Sequence, residues 1–303
     1  MSDDILCIGE ILWDALPDGL FLGGAPFNVA YHLHALGTEV AVASRVGDDL
    51  LGEEALRRLR AYGLATDLIQ IDDSRPTGFV RVELDASGEP AYEIVAPAAW
   101  DAITLTDALR RRAHRAPALV YGSLAQRAVP SRQTIQELIQ ADALSVFDIN
   151  LRPPYVDRAV VDRSLRAADV VKCNAEEFER LNTWFDLSDE PTALAGLAAA
   201  FGCEAVCVTR GAAGAWLWRE GEQCAHPGYD VTVADTVGAG DAFLAGLLTG
   251  LLAGEESEHL LDRANRLGAY VASRDGALPA YSVGSRSDVA DLPLPLRNDP
   301  ASS

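Results

Sequence analysis

Ala234-Asp235-Thr236-Val237-Gly238-Ala239-Gly240-Asp241 runs without a break into Ala242-Phe243-Leu244-Ala245-Gly246-Leu247-Leu248. Two glycines about one alanine let the backbone turn tightly and present its amides, and the small apolar run behind them predicts a buried helix whose N-terminus faces that turn. Amides at such a place hold an anion. A carboxylate at the end of the turn would repel an anion that is merely bound, so Asp241 reads as a base. It can take the proton of a substrate hydroxyl while the amides stabilise charge on a transferring phosphoryl group. The plainer alternative is a glycine-rich loop entering a core helix.

The 303 residues, 49% of them hydrophobic, suffice for one large α/β domain or two smaller ones. A net charge of −20 argues against a nucleic acid or an anionic membrane as partner. Met1-Ser2-Asp3-Asp4 has no basic n-region, and the apolar run after it is broken by Gly9-Glu10 and Asp14, which predicts neither a signal peptide nor a spanning helix. Cys7, Cys173, Cys203, Cys207 and Cys224 are odd in number and lack CxxC spacing, so the expectation is reduced thiols in a cytoplasmic protein rather than disulfides or zinc. Lys172 is the only lysine. No GxxxxGK[ST] phosphate loop exists, and pyridoxal chemistry would have Lys172 or nothing.

Outward from the central turn the pattern is α/β. Residues 5–9 form an apolar run closed by a glycine, with Glu10 and Asp14 just beyond, where open α/β sheets bind ligands. Asp14 can accept two hydrogen bonds from a sugar diol, or it can be a turn acid before Pro17-Asp18-Gly19. Gly23-Gly24 opens a helix that carries Asn28, a donor and an acceptor, in its first turns. His32 and His34 are two apart and so cannot form a helical metal pair. Residues 77–84 and 91–95 alternate about the turn at 85–90 and predict a projecting hairpin, either a lid or a homodimer contact.

Strands resume at 118–123, 144–149, 168–174 and 205–209, and polar residues stand at their ends. Arg152 is a fixed cation for phosphates or a surface partner of Asp148. Asn174 and Glu177 suit an N-cap with its capping-box partner, and the carboxylate could also hold magnesium through water. Thr209 and Gly211 close a strand end, and Asn265 lies on a helix predicted over 262–273. One domain is expected over 1–287, followed by a loose, prolyl tail over 288–303.

Gly23-Gly24-Ala25-Pro26-Phe27-Asn28-Val29-Ala30 and Asp235-Thr236-Val237-Gly238-Ala239-Gly240-Asp241 together resemble the two signatures of the ribokinase-like (PfkB) carbohydrate kinases, closest in form to the fructokinases. The resemblance covers most of residues 5–282, with Asn174 and Glu177 in the place of an NxxE motif. It implies a three-layer α/β domain with a mostly parallel sheet and a small β-sheet lid built from about 10–22 and 77–95. It implies ATP- and magnesium-dependent phosphorylation of a sugar hydroxyl, D-fructose to fructose 6-phosphate foremost, with ribose, adenosine and 2-keto-3-deoxygluconate as alternative substrates. Asp241 would be the base, and the amides of Val237, Gly238, Ala239 and Gly240 the anion hole. Asp14, Gly24 and Asn28 would meet the sugar; Asn174, Thr209, Gly211 and Asn265 would border the nucleotide; Arg152 would reach the phosphates and Glu177 the magnesium. Asp235, Val237, Ser273 and Gly276 match places that hold a monovalent cation such as potassium. From another class, a sugar or nucleotide sensor could keep the fold without turnover.

Overall fold

The computed structural model describes residues 4–16, 19–84, 90–187, 193–281 and 289–296. In chain order the first half comprises β1 (Ile5–Ile8), β2 (Leu12–Leu16), β3 (Gly19–Gly23), α1 (Ala25–Ala35), β4 (Val40–Gly47), α2 (Leu50–Ala61), β5 (Ile69–Asp72), β6 (Gly78–Leu84), β7 (Pro90–Ile94), α3 (Asp107–Ala113), β8 (Ala118–Gly122), α4 (Val129–Leu138) and β9 (Leu144–Asp148). The second half comprises α5 (Arg158–Leu165), β10 (Val170–Asn174), α6 (Ala175–Phe185), α7 (Ala193–Phe201), β11 (Ala205–Thr209), β12 (Ala215–Arg219), β13 (Glu222–His226), α8 (Ala239–Leu252) and α9 (Ser257–Ala272).

The apolar runs become strands buried on both faces. They form one nine-stranded sheet in the order β13-β12-β11-β10-β9-β8-β1-β4-β5, parallel from β11 to β5, with β12 and β13 antiparallel at the edge. One side packs on α1, α2, α8 and α9, and the other on α3 to α7. Strand order reverses at β1, which lies between β4 and β8, and a crevice opens at the carboxyl ends of strands at such a switch point.

The hairpin expected at 77–95 forms, and it merges with the hairpin that follows β1. Together they make a separate sheet in the order β3-β2-β6-β7, with β2 parallel to β6. Residues 17–18 and 85–89, expected from the sequence to be turns, lie outside the described residues. Both roots of this lid are pinned. Thr77 accepts from Gly47 N at 2.9 Å and donates its hydroxyl to Asp49 Oδ1 at 2.7 Å. On the other root Arg127 stacks 3.9 Å from the Trp100 ring centroid, pairs with Asp101 at 2.8 Å and donates to Val95 O at 2.9 Å. A buried guanidinium is tolerated there because its charge is paired and its donors are used.

One element is not expected from the sequence, and two details differ from the expectations. β13 is barely apolar and forms by pairing with β12 across Glu220 (φ 55°) and Gly221 (φ 85°), two left-handed residues that make a tight hairpin turn. α9 begins at Ser257 rather than at 262, since Leu260, Leu261, Ala264 and Leu267 already form its buried face. The tail expected to be loose from 288 is instead docked as far as 296. Val289 and Leu292 are buried, Leu292 O accepts from Arg266, and Val231 bridges to Leu296. No helix among the described residues is long and apolar enough to cross a membrane.

Helices α8 and α9 meet at Gly246, where an added Cβ would lie 3.1 Å from Ala264 Cα and 3.3 Å from Arg263 O. Backbone cannot yield as a flexible side chain does, so Gly246→Val is expected to cost about 1–3 kcal/mol, read from urea unfolding. An unchanged midpoint would contradict this packing.

Candidate active site

The carboxyl end of β1 and the starts of α1 and α8 converge. Gly24 stands before α1 at φ 119°, and a Cβ there would lie 2.2 Å from the Glu10 carbonyl oxygen. The second glycine of the pair therefore lets α1 start directly against the chain leaving β1. Gly24 has no side chain to cap α1, and Glu10 supplies that acceptor from a distance: its Oε1 accepts from Ala25 N at 3.2 Å. Seated this way, α1 carries Asn28 to α8, where Asn28 Nδ2 donates to Asp241 Oδ2 at 2.8 Å. Glu10 Oε2 and Asn28 Oδ1 are buried with no partner among the described residues. Asp14, partly exposed on β2, lies beside Gly23, its Oδ2 only 2.8 Å from where a Cβ there would sit.

Three carboxylates share this crevice, and burial raises them all: Glu10 to about 7, Asp14 to about 6 and Asp241 to about 6. The positive charge of Arg152 opposes the rise at each of the three. Arg152 is exposed and donates to Leu151 O at 3.1 Å. Asp148, the partner considered for it, is instead bound through both oxygens by Lys172 Nζ, at 3.1 and 3.0 Å.

In the turn, Asp235 Oδ1 accepts from Val237 N at 3.0 Å and its Oδ2 from Gly276 N at 3.2 Å, which staples the turn to the loop after α9. Gly238 adopts φ 76° against Ala277. Of the four amides expected to hold an anion, that of Val237 is taken by Asp235, and that of Ala239 donates to Thr236 O at 3.2 Å. The amides of Gly238, Gly240 and Asp241 have no acceptor among the described residues. Ser273 caps α9 on the neighbouring loop, its hydroxyl donated to Tyr270 O at 2.9 Å.

Asn174 and Glu177 form the capping box of α6: Asn174 Oδ1 accepts from Glu177 N at 2.8 Å and Glu177 Oε2 from Asn174 N at 2.9 Å. Leu151 N takes Glu177 Oε1 at 2.7 Å. With both oxygens on amides, Glu177 suits an ion held through water rather than by direct coordination. Among the described residues no cluster of three His, Cys, Asp or Glu side chains could hold a metal. Thr209 pairs in register with Asn174, and Gly211 is exposed with open space about it. Asn265 is buried in α9, with its amide donated to Leu261 O at 2.7 Å. All five cysteines are free thiols, and four are buried.

Glu10, Asp148 and Lys172 bear on this site more than their sequence setting suggests. The available signal is Lys172 itself, a charge set in the apolar strand Val170-Val171-Lys172-Cys173 of a chain with no other lysine.

Comparison with known proteins places the chain in a family and its fold among solved structures. The family model for pfkB family carbohydrate kinases matches residues 19–282. A fructokinase of Escherichia coli is 32% identical over 300 aligned residues, covering 92% of this chain and 96% of that protein. Among solved structures, a fructokinase of Xylella fastidiosa with bound ATP superposes with a TM-score of 0.79 at 25% identity, covering 92% of this chain and 94% of its own. A fructokinase of Vibrio cholerae O395 in a form with fructose, ADP and calcium ion bound gives a TM-score of 0.77 at 28% identity, covering 92% and 95%.

The raised Glu10 has a consequence for stability. Its contribution is fully present below its ordinary value of 4.5 and is lost as pH rises through about 7, because the folded chain then carries a buried carboxylate that the unfolded chain solvates. Glu10→Gln keeps an oxygen for Ala25 N. It is expected to be more stable than the parent at pH 8 by on the order of 2 kcal/mol, with the gap closing near pH 4. Urea unfolding at both pH values measures this, and a gap independent of pH would contradict it.

Proposed function

The chain belongs to the pfkB family of carbohydrate kinases, and we propose that within it this enzyme converts ATP and D-fructose to ADP and fructose 6-phosphate. The observation that carries the reading is the Asn28–Asp241 hydrogen bond of 2.8 Å, which joins the glycine-opened helix to the carboxylate at the anion-binding turn. The fructokinase relatives support fructose as the sugar.

Asn28 occupies Oδ2 of Asp241, so Oδ1 is left to accept the proton of the sugar hydroxyl. The hydroxyl oxygen bonds to the γ-phosphorus as the bond from that phosphorus to its bridging oxygen breaks, and the electron pair leaves with ADP. The open amides of Gly238 and Gly240, at the positive end of α8, face the charge that spreads over the transferring group. Asp14 and the unpaired Oδ1 of Asn28 orient sugar hydroxyls, Thr209, Gly211 and Asn265 border the nucleotide, and Arg152 lies free to reach the phosphates. Magnesium carried by the phosphates would neutralise their charge, with Glu177 meeting it through water, and a monovalent ion would sit at the loop joined by Asp235 and Gly276.

The lid closes over the sugar and keeps water from the transferring group. Leu20 and Phe21, 45% and 41% exposed on β3, offer an apolar strip for a second copy through the lid. The free thiols suit a reducing cytoplasm.

Asp241→Asn keeps shape and removes basicity, so kcat is expected to fall by about 10²–10⁴ while sugar affinity, measured separately by calorimetry, changes little. Near-normal turnover by the folded variant would remove Asp241 from the mechanism. In the parent enzyme kcat/KM is expected to fall on the acid side with a midpoint near pH 6, since a protonated Asp241 cannot accept the hydroxyl proton. A panel of sugars assayed by ADP release tests the substrate, and a clear preference for ribose or an acidic sugar over fructose would overturn the assignment.

A further inference from the structure

Lys172 is the only lysine of the chain, and it is buried in the middle of a sheet. The parallel register places it directly across from Asp148, and its Nζ reaches both carboxylate oxygens of Asp148, at 3.1 and 3.0 Å. That contact would explain the lysine as a strand-to-strand tie. A second observation points elsewhere: a Cβ on Gly240 would lie 3.2 Å from the same Nζ. Gly240 is in the first turn of α8 and has no left-handed φ, so its backbone would accept any residue. A Cβ at 240 would press on the ammonium beneath the turn, so the charge sits directly against the backbone of the anion-binding turn.

We propose that Lys172 is a positioning residue for phosphoryl transfer, its ammonium fixed by Asp148 and seated under Gly240 so that Asp241 stays a carboxylate while an anion occupies the turn.

The charges about Asp241 motivate this assignment, which rests on the reading of Asp241 as base. Facing it are Lys172 from β10, Asp148 at the end of β9, Asn28 from α1, Arg152 after β9 and Glu10 after β1. Burial drives Asp241 towards its neutral form, and Lys172 is the largest opposing influence, ahead of Asn28 and Arg152. A phosphate brought to the turn adds negative charge and pushes further towards neutrality, when a base is needed. Lys172 itself stays charged despite burial, because Asp148, Asp241 and Glu177 all surround it. A buried ion pair replaced by apolar residues is often as stable or more so, so fold stability alone is a weak reason for this pair.

The test uses the opposite signs of the two partners. Lys172→Met removes the positive charge, and the acid limb of kcat/KM is expected to move up by about 1–3 pH units, so that activity lost at pH 7 returns towards pH 9. Asp148→Asn removes a negative charge that raises Asp241, so its limb is expected to move down. Carbon-13 titration of the Asp241 carboxyl in the nucleotide-free protein should show the same two displacements. Shifts in the same direction, or none in either variant, would reduce the pair to a structural tie and overturn the proposal. Should Lys172→Met fail to fold, Lys172→Gln is measured in its place: an upward shift of the limb supports the role and an unmoved limb overturns it. Asp241→Asn, measured alongside, separates the two failures. Full turnover there defeats the base itself, whereas an inactive Asp241→Asn with unmoved limbs defeats only Lys172.

Discussion

A single hydrogen bond of 2.8 Å, from Asn28 Nδ2 to Asp241 Oδ2, joins residues 213 positions apart and depends on nearly every feature of the fold. It requires α1 to begin immediately at the carboxyl end of β1, which the chain allows because Gly24 passes within van der Waals contact of the Glu10 carbonyl. It requires α8 to begin at the same crevice, although α8 follows the antiparallel edge strands β12 and β13 in sequence. That return across the sheet is held by α8 packing on α1 and α9, and by Asp235 fastening the turn to the loop after α9. The site is thus a meeting of two helix starts, and its polar contact is a small part of what places them.

Burial sets the electrostatics of this crevice apart from those of an exposed acidic surface. The protein carries a net charge of −20, yet its site concentrates carboxylates in low dielectric, where each is pushed towards its neutral form. Two cations counter this from different sides, Arg152 at the exposed mouth and Lys172 from within the sheet. The exposed one can move to meet a ligand. The buried one cannot, and a fixed charge costs no reorganisation at the moment of reaction. The chain has no phosphate-loop lysine, and its one lysine reaches the turn at the start of α8 through the sheet rather than through a loop.

The parts of this structure that were legible in the sequence are those set by local chemistry. Apolar runs closed by Gly9, Asn174 or Thr209 read as buried parallel strands, and the residues just beyond them lie at the carboxyl edge, where the crevice is. The capping box of Asn174 and Glu177 was visible as an N-cap with an acid three residues on, and it forms with both hydrogen bonds. What was not legible depends on register and on long-range contact. Arg152 and Asp148 are close in sequence and invite pairing. Only the alignment of β9 with β10 shows that Asp148 faces Lys172. Likewise nothing in Arg127, Trp100 or Asp101 taken singly announces the stacked, ion-paired root of the lid. β13 is too polar to read as a strand, and it exists because its partner and a left-handed turn hold it.

The glycines of the two signatures illustrate the same limit. Read as a motif, they are one property, a backbone free to approach an anion. In the structure they answer to separate constraints: Gly24 to a carbonyl oxygen and a positive φ, Gly238 to Ala277 and a left-handed turn, and Gly240 to an ammonium alone. The first two constraints are steric and belong to the fold, so substitution there displaces helix starts. The third is a close approach of another kind, a Cβ position 3.2 Å from the charged end of the Lys172 side chain. At 240 the conformation is ordinary, and what distinguishes the position is the ammonium packed beneath it.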